Sequence, residues 1–195
     1  MIVRVTRRSF AALGLIATVA ICAGAAQARP RTTATVYQAF SYHGVVIPRV
    51  QVASGYCWES SNVTARLDAW RCFVGNSILD PCFSSAFANN VVCPTPWSNS
   101  GVEINLTRPL PKPTNHAAPS LKLAPWAIET TTGADCILTS GASSVVHGKR
   151  LNYYCSAKLG LWGYPDRRSQ PWTILSAPPT AKILKQRASI LHAWM

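Results

Sequence analysis

Seven cysteines punctuate the chain, and the place of the first decides what the other six can do. Cys22 lies inside an apolar run, FAALGLIATVAICAGAA, that follows Arg4, Arg7 and Arg8 and ends at Ala26-Gln27-Ala28. Basic start, apolar stretch and a small-x-small end make a removable export leader, residues 1–28. Its Thr6-Arg7-Arg8-Ser9-Phe10 resembles the twin-arginine export signal. Lipid anchoring at Cys22 is disfavoured, because Ile21 stands where lipoprotein leaders carry Gly, Ala or Ser. Removing the leader leaves an even set: Cys57, Cys72, Cys82, Cys93, Cys136 and Cys155. In an oxidising compartment such a set reads as three disulfides. Spacing alone cannot choose among the connectivities, but one arrangement is favoured. It pairs the first four cysteines among themselves and Cys136 with Cys155, whose segments DCILTSG and RLNYYCS read as neighbouring strands.

A structural zinc site is the rival use of cysteine. It usually shows close Cys pairs with His as an extra ligand. No two of these six stand closer than ten positions, and His43, His116, His147 and His192 are scattered. No metal is expected, and no motif calls for a cofactor.

Cutting after Ala28 leaves 167 residues, enough for one domain with its own core. No second apolar run of spanning length follows, so no transmembrane segment is expected in the mature chain. Sixteen Lys and Arg stand there against seven Asp and Glu, a net of +9 spread without like-charge runs. For an exported protein this excess suits an anionic cell-wall polymer or another extracellular protein. Nucleic acid is not expected, because export removes the usual target.

The domain, residues 29–195, reads as mainly β (α+β): a small disulfide-stapled antiparallel sheet or barrel-like fold. TTATVYQAF, GVVIPRVQVAS, GVEINLT, WAIET, CILTSG, RLNYYCS and PWTILSA have strand-like composition, with TTGAD and the His147 region as turns. Asp68 to Val74 reads as a short helix with Asp68 as N-cap, and Gly75-Asn76 and Asp80-Pro81 read as breaks. Residues 108–125 hold five prolines and read as a loop. At the end, Leu184, Ala188, Leu191 and Met195 share one helical face, predicting an amphipathic helix over 180–194 packed on the sheet. Pro96-Trp97, Pro125-Trp126 and Pro171-Trp172 each precede strand-like sequence and read as core anchors.

Polar chemistry is concentrated in RLDAWRCFVGNSILDPCF, residues 66–83. Asp68 and Asp80 are the candidate carboxylate pair for a glycoside hydrolase, but Arg66 and Arg71 flank Asp68 as salt-bridge partners. G-x-S-x-G, H-E-x-x-H and a phosphate-cradling Gly-rich loop are absent from the sequence. The stretch therefore reads first as a knot that Cys72 and Cys82 staple and Trp70 and Phe83 anchor. Arg66, Asp68, Asn76 and Asp80 are its candidate binding residues, and no catalytic residue is assigned.

GYCWES, RLDAWRCFVGNSILDPCF and VVCPTPW, continuing through PWAIETTTGADCILTSGA and RLNYYCS to PWTI, resemble a family of secreted six-cysteine proteins of actinobacteria and related bacteria. The likeness spans residues 55 to 175. It implies an exported, disulfide-bonded bacterial domain, and that family carries no assigned activity to transfer. The expected function is a non-enzymatic extracellular module. A secreted hydrolase of wall glycan or peptide using Asp68 or Asp80 is the alternative, and an inhibitor presenting the loop 108–125 is a third class.

Overall fold

The computed structural model describes residues 30–86, 89–114 and 124–195. The leader over 1–28 and residues 115–123 of the proline-rich loop lie outside the described residues. Thirteen strands are described. The first six are β1 (Thr33–Thr35), β2 (Arg49–Ser60), β3 (Ala69–Val74), β4 (Ser77–Ser84), β5 (Asn90–Thr95) and β6 (Ser100–Leu106). They are followed by β7 (Ala127–Thr130), β8 (Asp135–Leu138), β9 (Val145–Val146) and β10 (Lys149–Cys155). The last three are β11 (Gly160–Asp166), β12 (Thr173–Ala177) and β13 (Gln186–Trp194).

Strands β2 to β6 form a meander that closes into a five-stranded barrel, β6 returning parallel to β2 from Arg49↔Ser100 to Gly55↔Leu106. Gly55 sits where β2 is gripped on both sides. A Cβ there would stand 2.1 Å from the Phe73 carbonyl oxygen, so only glycine fits. A second ring runs β13-β12-β11-β10-β8-β7 and returns from β7 to β13. Strand β9 joins β10 through a hairpin whose His147 and Gly148 both have positive φ, the geometry of the two-residue turns that match strand twist. Strand β1 adds parallel to β13, Thr33 facing His192. Ile190 shows which edge it takes. Its N–H donates to the Trp172 carbonyl and its carbonyl accepts the Thr32 hydroxyl, so β1 continues along the edge that β12 occupies.

The domain is thus mainly β, with a difference at two places. The stretch predicted as a C-terminal helix is β13. Its buried residues are Ile190 and Ala193, three apart, because a bulge between Ile190 and His192 shifts the alternation. That spacing imitates one helical turn in the sequence, and the need to close the ring between β12 and β7 decides for strand. The stretch predicted as a helix from Asp68 is β3. Asp68 binds Arg66 instead of capping, and Trp70, Cys72 and Val74 pair with β2 and β4. Gly75-Asn76 is a hairpin turn, as its composition indicates. Asp80-Pro81, read as a break, lies within β4 through a cis peptide bond. Among the described residues the helical turns are short 3-10 ones at Pro96–Ser98 and Ser156–Lys158.

The disulfides are Cys57–Cys72, Cys82–Cys93 and Cys136–Cys155. Cys72 and Cys82 are therefore not joined to each other; each ties its strand to a different neighbour. Together with Trp70, Val91 and Ile104 the first two bridges fill the five-stranded barrel. The sulfurs of Cys72, Cys82 and Cys93 lie within 4.8 Å of one another, but all three are disulfide-bonded and offer no thiolate to a metal. The larger core lies between the two rings. Tyr37 and Phe83 meet Trp126 there at ring separations of 5.6 and 5.7 Å, over Ile128, Tyr153 and Ile174. Of the three Pro-Trp anchors, Trp126 is fully buried, while Trp97 and Trp172 pack partly buried against the same core.

Candidate functional site

The polar residues singled out in residues 66–83 fall into three separate environments. Arg66 and Asp68 form a fork-to-fork pair, Nε to Oδ1 at 2.9 Å and Nη2 to Oδ2 at 2.6 Å. The same guanidinium donates to the Tyr37 carbonyl and lies 4.3 Å over the Phe83 ring. Arg66 thereby fastens the segment before β3 to the central core, and both Asp68 oxygens are occupied. Asn76 stands exposed at the β3–β4 turn, apart from the other three.

Asp80 is the most confined carboxyl. Its side chain is 7% exposed. Oδ1 accepts the Ser61 hydroxyl at 2.5 Å, and Oδ2 accepts the Asn62 N–H at 3.1 Å. Arg71 Nε stands 3.9 Å from Oδ2, close enough for attraction but too far for a hydrogen bond, and this N–H has no partner. Arg71 instead bonds Glu59 at 2.9 Å. Burial raises the Asp80 carboxyl to about 6, against the pull of the Ser61 and Asn62 hydrogen bonds and of Arg71.

Next to this network lies a stack that sequence reasoning missed. The Cys57–Cys72 bridge turns both cysteines inward, so Tyr56 and Trp58 on β2, and Arg71 and Phe73 on β3, face outward. A bulge between Cys57 and Glu59 makes Trp58 the extra residue and brings it beside Phe73, ring to ring at 4.4 Å. Tyr56 flanks Phe73 on its other side at 5.4 Å. Guanidinium groups close both ends of the row. Arg71 lies 5.2 Å from the Trp58 ring, and Arg108 lies 3.6 Å over Tyr56. Arg108 is brought there by the continuation of β6 along β2: Thr107 N–H and hydroxyl both donate to the Gly55 carbonyl. Beyond it, Thr114 N–H reaches the Ser60 hydroxyl, so residues 108–114 run beside the outer half of β2. The signal for this row was in the sequence: an aromatic on each side of one bridged cysteine, and Arg and Phe on each side of its partner.

All seven carboxylates fall within the described residues, and six of them are engaged locally. Glu59 pairs with Arg71, Asp68 with Arg66, Glu103 with Asn90 and Glu129 with His192. Asp166 pairs with Arg168 and Arg187, and the Arg168 hydrogen bonds hold its carboxyl well below the usual range. Asp80 is held as described. Asp135, expected to serve the hairpin turn, opens β8; burial and the neighbouring Glu129 charge push its carboxyl up. Positive charge is left over. Lys112, Lys149, Lys158, Lys182 and Lys185 are exposed, and no carboxylate pairs with them.

Fold and site together define the class: a disulfide-bonded, mainly β protein of two closed rings with a cationic, aromatic outer face. No family model, curated protein or solved structure matches the chain.

Proposed function

We propose that the protein is an exported, non-enzymatic module that binds an anionic cell-envelope polymer. The observation that carries this reading is the distribution of charge. Six of the seven carboxylates are spent on local partners, whereas the exposed lysines have no carboxylate partner, so the outer surface meets solvent with an excess of unneutralised cations. Three disulfides suit an oxidising compartment, which agrees with the leader read in residues 1–28. The resemblance to secreted actinobacterial proteins points the same way. No helix among the described residues is long and apolar enough to cross a membrane.

The hydrolase alternative asks two carboxyl groups to face one substrate, one giving and one taking a proton. Asp68 has both oxygens on Arg66, and Asp80 has both oxygens on Ser61 and Asn62 behind a nearly closed surface. That arrangement favours binding over hydrolysis. The test is co-sedimentation of the mature protein with purified cell wall across a salt series. Retention at low salt that falls by about tenfold or more as screening shortens the reach of charge supports the reading. An absence of retention at every salt concentration overturns it.

A further inference from the structure

The cations on this surface are not equivalent. Several guanidinium groups are engaged by the protein: Arg66 by Asp68 and the Tyr37 carbonyl, Arg71 by Glu59, Arg168 by Asp166, Arg187 by Thr173 and Asp166. Arg150 is taken up by Asn152 and the carbonyls of Thr139 and Gly141. Arg108 differs in combining two properties. Its plane is held 3.6 Å over the Tyr56 ring, and among the described residues it makes no hydrogen bond and no ion pair. It also lines an open recess of about 510 Å³, with Asn89, Leu106, Thr107, Pro109 and Leu110 as the other described residues of its wall.

The geometry points to Arg108 as an oxyanion-binding subsite, one that takes a carboxylate or phosphate group of an acidic glycan chain while the sugar lies against Leu106, Pro109 and Leu110. A guanidinium presents a fork of N–H donors that matches two oxygens of one anion. Stacking on Tyr56 fixes the fork before the ligand arrives, so less side-chain entropy is lost on binding. The strand pairing makes the mount rigid: Thr107 is bonded twice to Gly55, the residue before Tyr56, so the ring and the guanidinium share one support. Asn89 adds a neutral polar residue to the same wall. This subsite rests on the polymer-binding reading for its biological ligand, but its chemistry can be tested apart from the wall.

The experiment is a titration of the mature protein, followed by calorimetry and amide chemical shifts, with three probes: a short galacturonate oligomer, a glycerol-phosphate oligomer and a neutral dextran oligomer. Saturable binding of one or both acidic probes is expected, with shifts centred on Asn89, Thr107 and Arg108 and none from dextran. Which acidic probe binds identifies carboxylate or phosphate as the recognised group. Arg108→Gln should weaken binding by about tenfold or more, and Arg108→Lys by nearly as much, because an ammonium cannot fork. Tyr56→Ala should bind a few-fold more weakly. Arg49→Gln removes the same charge from an exposed position at the start of β2 and should have little effect. Folding of each variant is checked by its melting temperature. Equal binding by Arg108→Gln, or equal weakening by Arg49→Gln, overturns the proposal. If neither acidic probe binds while wall retention persists, the subsite fails and the polymer reading stands. If Arg108-dependent probe binding occurs without wall retention, the subsite stands and the polymer reading fails.

Discussion

Asp80 illustrates how a residue that looks catalytic in the sequence can be a structural element with a titration of its own. Burial raises its carboxyl from 3.8 to about 6, so the folded protein keeps a proton that the unfolded chain releases across that interval. The sign follows from linkage. The folded state binds more protons between about pH 4 and 6, so this group's contribution to stability is fully present below that window and is lost as pH rises through it. With the side chain only 7% exposed, the effect is roughly 2–3 kcal/mol. Asp80→Asn removes the titration, and urea unfolding at pH 4 and pH 7 should show a smaller difference than in the natural protein. An identical pH profile for both proteins would count against this account. Arg66 makes the complementary point. It contacts a carbonyl, a carboxylate and a ring at once, which is how a single polar side chain comes to hold loop and core together.

At the level of elements, the disulfides tie strands that are already paired. Cys57 faces Cys72 across β2 and β3, and Cys136 faces Cys155 across β8 and β10. Replacing Cys136 and Cys155 together by Ala opens a loop of sequence separation 19 and should lower stability by about 3 kcal/mol, read as a shift in the urea midpoint. Much of this layer was legible in the sequence. GVEINLT shows its period directly, RLNYYCS has strand-like composition, and an even cysteine count in residues 29–195 implies bridges. What misled were places where tertiary pairing changes the period. In β13 the bulge after Ile190 produces a helix-like three-residue spacing, and the partners that select strand, β7 and β12, are distant in sequence. In β3 an acidic residue ahead of an aromatic run imitates a helix cap, while the carboxylate serves Arg66. The aromatic row was hidden for another reason. Its members come from β2, β3 and the segment after β6, and only the parity set by the Cys57–Cys72 bridge shows that they share a face.

At the scale of the whole molecule, the five-stranded barrel has its own filling, but the larger core is shared by both rings. Tyr37, Phe83 and Trp126 meet between them, and Trp126 has no exposed surface. Trp126→Ala should therefore cost about 3–5 kcal/mol. Because the removed contacts belong to both rings, thermal melts followed by far-ultraviolet and aromatic circular dichroism should coincide in a single transition before the change. Two well-separated transitions in the natural protein would show that the rings unfold independently and that this core is not shared. The same architecture sets an order in time. The five-stranded barrel is complete in the chain at Leu106, but the second ring needs β13, which reaches to Trp194, before β7 and β12 can be bridged. Strand β1, at the other end of the described domain, pairs among the described residues with β13. Until the chain has been made as far as Trp194, Thr33–Thr35 lacks the strand it pairs with in the finished structure, so the two ends of the described domain can join only after synthesis has reached β13.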